Sequence, residues 1–195
     1  MKNKPNENYL HDCGCEKQKI ENFKTPVTKM GFTSEQLSLL LEFYVFDYIV
    51  KEPKGETTLK YYGWIGHDLT KLEGSLLKAA NLSSFCIIKA DTINETLRRM
   101  NLTGSICTEH PRAVLKMNHT VKLNEDGTVN ISTGESRMEC LFRHIRNSLA
   151  HNMTYLFQND NILLNDMDID SKNTSASILI PKQALLSWIS IIKKE

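Results

Sequence analysis

The sequence predicts a mainly α fold: a helical bundle with small β-hairpin insertions, in one domain. Three observations lead there. Several stretches repeat apolar residues with a 3.6-residue period, and the longest keeps its stripe over six turns. Three of those stretches open on capping pairs, Thr33-x-x-Gln36, Thr92-x-x-Glu95 and Ser136-x-x-Glu139. Alternating, strand-like patterns are short and confined to two places, near 119–132 and after 159.

The elements follow in chain order. Residues 1–32 are rich in Lys, Asn and Glu, with Pro5 and Pro26 and no sustained period, and are expected to form a mobile or loosely docked N-terminal arm. The domain proper is then 33–195. A helix starts after Thr33 and carries Leu37, Leu40, Leu41, Tyr44, Val45, Tyr48 and Ile49, with Pro53 and Gly55 ending it. A second helix spans roughly 64–80, with Ile65, Leu69, Leu72 and Leu76 as its stripe. A third, near 92–101, opens on Thr92-x-x-Glu95. Pro111 is placed to open a further short helix with Ala113, Val114 and Leu115.

Two alternating runs, Thr120–Leu123 and Thr128–Ile131, flank a Glu125-Asp126-Gly127 turn and predict a hairpin. The strongest helix covers about 136–158, through Met138, Leu141, Phe142, Ile145, Leu149, Met153 and Leu156. In the remainder, 159–195, Ile162–Leu164 and Ser177–Ile180 read as strands, and an amphipathic helix follows Pro181. Trp64 and Trp188 are expected in the core or an interface.

Composition excludes several classes. A chain of 195 residues with 41% hydrophobic and 24% charged residues is neither disordered nor fibrous as a whole. A net charge of +1 excludes a blanket polycation, so contact with nucleic acid requires a local patch. Three of the six arginines, Arg137, Arg143 and Arg146, fall within ten positions. No run of about 18 apolar residues exists, so no membrane span is expected. The polar N-terminus lacks the apolar core of a secretory signal and the five cysteines are odd in number, which points to reduced thiols in the cytoplasm. Seven N-x-S/T triplets, at Asn81, Asn94, Asn101, Asn118, Asn130, Asn152 and Asn173, then reflect only an abundance of Asn.

The chemistry concentrates in Phe142–Asn152, FRHIRNSLAHN. Ile145, Leu149 and Met153 take the apolar side. Arg143, Asn147 and His151, four residues apart, stack in a row on the polar side, with Arg146 beside them. Two guanidinium groups, an amide and an imidazole suit phosphodiester cleavage. A guanidinium holds phosphate through paired hydrogen bonds and stabilises developing negative charge. An imidazole moves protons near neutral pH, and RNA brings its own 2′-hydroxyl nucleophile, so no metal or cofactor is required. Such residues also occur on ordinary solvated, salt-bridged helix faces.

Arg146-Asn147-Ser148-Leu149-Ala150-His151 resembles the R-x4–6-H motif of the HEPN superfamily, in the form with a polar residue after the Arg. Its setting is similar to toxin and abortive-infection members, closest to a plasmid-borne branch, and the resemblance covers about 33–158. It implies a bundle of four or five helices, a homodimer whose two motifs line one cleft, and metal-independent endoribonuclease activity that leaves a 2′,3′-cyclic phosphate. Arg146 and His151 would be the catalytic pair, with Asn147 orienting them. Arg143 and His144 match no required family position and are read as auxiliary substrate contacts to phosphate. The partners implied are RNA, a second copy of the chain and, for a toxin or phage-defence effector, an antitoxin protein. The alternative is a non-catalytic HEPN-like module that binds RNA, a nucleotide or a protein through the same cleft.

Other clusters rank lower. His11-x-Cys13-x-Cys15 departs from C-x2–4-C zinc spacing and shows no second ligand pair nearby, so no metal is expected. Cys140 and His144 are four apart, but Cys140 borders the apolar stripe and reads as a buried structural thiol. Asp166, Asp168 and Asp170 lack the Gly and closing Glu of a calcium loop and read as a solvated strand end. No phosphate-binding G-x4-G-K-S/T loop occurs.

Overall fold

A computed structural model describes residues 14–20, 24–47, 58–89, 93–124, 129–132, 134–168 and 171–195. The fold is α/β, which corrects the expectation of a mainly α bundle. A five-stranded mixed sheet forms the centre, with helices and strand segments covering both of its faces.

In chain order, β1 is Lys17–Lys19, α1 is Ser34–Leu41, α2 is Thr58–Tyr61 and α3 is Asp68–Ala79. Next come β2 (Phe85–Ile88), α4 (Asn94–Arg99), β3 (Ser105–Cys107), β4 (Arg112–Lys116), β5 (Thr120–Leu123) and β6 (Val129–Ser132). The chain ends with α5 (Arg137–Ala150), β7 (Thr154–Leu156), β8 (Asn161–Met167), β9 (Thr174–Pro181) and α6 (Ala184–Lys193). The central sheet runs β2-β4-β9-β8-β7, in which β2 and β4 are parallel and the other neighbours antiparallel. β1 pairs with β3, and β5 with β6.

β4, which escaped prediction, and β8 are buried on both faces. Ala113 and Leu115 of β4 enter the larger core, against α1, α3, α5 and α6, while Val114 between them enters a second core beneath α4. In β8, Ile162 and Leu164 face the larger core and Leu163 the second one. Such a strand shows a continuous apolar run instead of alternation, and over three or four residues that run matches a helix equally well. The predicted helix after Pro111 is therefore β4, and β2, β3 and β7 carried no period to find.

The capping pairs at Thr33 and Ser136 are formed. The backbone N–H of Gln36 donates to Thr33 Oγ1 at 3.2 Å, and that of Glu139 to Ser136 Oγ at 3.2 Å. α1 continues as a π-helical stretch over Glu42–Asp47 that buries Phe43 and Tyr44. Tyr48, Ile49, Pro53 and Gly55, assigned to that helix or its end, lie outside the described residues, as do Thr92 and the Glu125–Gly127 turn. Ile65 precedes α3 and is 60% exposed, so it is no part of the helix stripe. Trp188 is fully buried and donates to the Leu76 carbonyl, and the partly buried Trp64 packs against the core and donates to the Ile192 carbonyl, each at 2.8 Å.

α5 stops well short of 158. Asn152 adopts a left-handed conformation at φ 54°, and the N–H groups of Asn152 and Met153 bond back to the carbonyls of Leu149 (3.2 Å) and Ser148 (2.8 Å). This paired closure ends the helix and makes His151 its C-terminal cap. The next residues turn into β7. In the arm, β1 and the buried Ile20, Val27 and Met30 pack against the domain.

Candidate functional site

α5 lies across the ends of β4 and β8, and its polar side meets them in one hydrogen-bonded network. His144 is completely buried. Its Nδ1 lies 2.6 Å from Asp166 Oδ2, on β8, and its Nε2 lies 2.7 Å from the Lys116 carbonyl, at the end of β4. Asn147 Nδ2 donates to the same Asp166 oxygen at 3.0 Å. One turn earlier, Arg143 grips Glu135 through Nε (2.8 Å) and Nη2 (2.7 Å), and Nη2 also donates to the Lys116 carbonyl at 3.1 Å. Glu135 accepts a further bond from the backbone N–H of Asn118.

The charges are mutually supported. Burial pushes the Asp166 carboxyl up, but the bonds from His144 and Asn147 outweigh it and hold the group below its ordinary range. Glu135 is likewise pushed up by burial and pulled further down by Arg143 and the Asn118 N–H. Burial alone would loosen the proton of Arg143, and Glu135 more than reverses that. Burial, with Glu135 nearby, pushes the Cys140 thiol up to about 12, so it is no nucleophile at neutral pH. His144 faces Asp166 and Lys116, which leaves Cys140 without a base.

Each residue singled out in the sequence has a definite place. Arg143 and His144, read as auxiliary phosphate contacts, are committed inward, one to Glu135 and one to Asp166. Arg146 is partly exposed. Its Nη1 donates to Asn147 Oδ1 at 3.0 Å, while its buried Nε has no hydrogen-bond partner. Asn147 therefore links Arg146 to Asp166, one end of its amide on each. His151 is exposed at the cap of α5, and among the described residues its ring does not join the network.

Sequence reasoning missed Glu135 and Asp166. Asp166 had a readable signal: with Ile162 and Leu164 it completes an i, i+2, i+4 set, which puts it on the strand face that α5 covers. Read with Asp168 and Asp170 it looked solvated, yet it is only 8% exposed; Asp170 lies outside the described residues. Glu135 had no such signal, since its pairing with Arg143 depends on the loop before α5.

Comparison with protein-family models finds no match, and comparisons with curated proteins and with solved structures find none either. The fold and site together define an α/β domain with a buried charged network under one helix and an Arg–Asn pair at that helix's exposed end.

Proposed function

We propose that this protein is a metal-independent endoribonuclease of the HEPN type, acting as a toxin or phage-defence effector, with its site at the C-terminal turn of α5. The observation that carries the reading is the Asp166–Asn147–Arg146 relay. Asp166 fixes the Asn147 amide, and the amide fixes the Arg146 guanidinium. A pre-oriented, partly exposed guanidinium suits a phosphate that gains negative charge in its transition state. The central sheet is no part of the bundle that the motif resemblance implies, so the reading stands on the motif's own geometry.

In the proposed reaction, the imidazole of His151 removes the 2′-hydroxyl proton and the 2′-oxygen attacks the adjacent phosphorus. The bond to the 5′-oxygen breaks and that oxygen takes up a proton, leaving a 2′,3′-cyclic phosphate and a 5′-hydroxyl. One group must act as base and another as acid. α5 and its cap offer one exposed imidazole, because His144 is sealed against Asp166. Two copies of the chain, with their α5 ends facing one strand of RNA, would supply both groups, and this is the chemical argument for a homodimer.

The test is incubation of purified protein with total RNA in EDTA, beside His151→Ala and Arg146→Lys variants. Wild type should give products with cyclic-phosphate ends. His151→Ala should lower the rate by about 10²–10⁴-fold. Arg146→Lys should also be impaired, since an ammonium cannot reproduce the planar fork. Undiminished cleavage by His151→Ala would overturn the assignment. RNA retained by wild type without any cleaved product would give the same groups to binding instead.

A further inference from the structure

On the sheet face away from α5, the fold assembles a cluster that the sequence keeps far apart. Cys15, Cys107 and His110 place their Sγ, Sγ and imidazole nitrogen within 4.8 Å of one another. Cys15 Sγ lies 3.6 Å from His110 Nε2. Two donors at zinc–sulfur and zinc–nitrogen distances of about 2.3 and 2.0–2.1 Å, set at a tetrahedral angle, are separated by about 3.6 Å. Cys107-x-x-His110 also supplies the ligand pair with a two-residue spacer that the HxCxC stretch lacked. Pairing of β1 with β3, with Lys17 opposite Cys107, brings Cys15 to this pair.

The loop that carries the pair is held by several side-chain hydrogen bonds to its backbone. Arg112 is buried and donates to the carbonyls of Cys107 (3.0 Å), His110 (2.7 Å), Met100 (2.6 Å) and Asn101 (2.8 Å). The Thr108 carbonyl between the ligands accepts from Asn159 Nδ2 at 3.0 Å and Asn161 Nδ2 at 2.6 Å. These bonds fix the backbone that carries Cys107 and His110.

We propose that Cys15, Cys107 and His110, with a water molecule in the fourth position, bind a zinc ion that fastens the N-terminal arm to the β3–β4 loop. Two thiolates and an imidazole favour a borderline-soft cation over calcium or magnesium. The ligands come from the arm and from the body of the domain, so binding resists detachment of the arm. Residues 1–13 lie outside the described residues, and the proposal uses none of them.

The test uses the full chain purified under reducing conditions. Wild type should hold about one zinc per chain, and Co2+ in its place should give the absorption of a tetrahedral thiolate site. Cys15→Ser and His110→Ala should each weaken binding by at least the roughly 10–100-fold lost when an outer group of such a site is removed. Neither residue is in the core, so both variants should keep the wild-type circular dichroism. Stripping the metal should speed proteolysis of the arm in wild type only. Wild type that takes up neither zinc nor Co2+, or a His110→Ala variant that binds as tightly as wild type, would overturn the proposal. So would a Cys15–Cys107 disulfide in place of bound metal.

Discussion

Asp166 holds the polar side of α5 together at the residue scale. One of its oxygens serves both His144 and Asn147, at 2.6 and 3.0 Å. Breaking a buried charged contact by removing one partner leaves the other uncompensated, so Asp166→Asn should destabilise the fold by about 3 kcal/mol, measured by urea unfolding at neutral pH. The same residue gives the protein an acid dependence. Asp166 and Glu135 both have native affinities for protons below those of the unfolded chain, where carboxyls titrate near about 3.9 and 4.3. The unfolded state therefore binds protons first as the pH falls. The stability these groups contribute is complete above about pH 5 and drains away as the pH drops through their lowered native values. Asp166→Asn should flatten that loss. An equally steep acid limb in the variant would assign the dependence to other carboxyls.

At the scale of elements, helix ends decide where the site residues fall. Three helices close in the same way, on left-handed asparagines at φ 53° (Asn81), 50° (Asn101) and 54° (Asn152). In each, the asparagine N–H and the one after it bond back into the last turn. Asparagine tolerates this conformation better than any residue except glycine. Asn152→Gly should thus match or exceed wild-type stability, whereas the β-branched Asn152→Val should lose about 1–2 kcal/mol. Equal denaturation midpoints for the two variants would remove the closure from the account. These three residues were plainly visible in the sequence, but only as glycosylation-like triplets. The capping pairs at Thr33 and Ser136 were legible because both partners lie within four residues. The end of α5 was not, because Met153 and Leu156 stay in phase with the helix stripe while serving a loop and a strand.

Over the whole molecule, the distinction between a bundle with hairpins and an α/β domain turns on whether both sheet faces are covered. The β5–β6 hairpin, α1, the core of α5 and α6 were readable from local periods. Of the central sheet only parts of β8 and β9 were, since β2 and β4 pair in parallel across a connection that contains α4 and β3, and no local pattern encodes such a crossover. Adjacent residues of β8 give the decisive comparison. Leu163 and Leu164 are both fully buried, one in each core. In a hairpin laid on a helical bundle, one of the two would face solvent and its truncation would cost almost nothing. In the fold described here, Leu163→Ala and Leu164→Ala should each cost about 2–5 kcal/mol in urea unfolding, the range for truncating a large aliphatic side chain in a packed interior. A loss under about 1 kcal/mol for Leu163→Ala would mean that α4 and β3 do not cover the second face. The platform that joins Arg112, Cys107 and His110 to the sheet would then be gone as well.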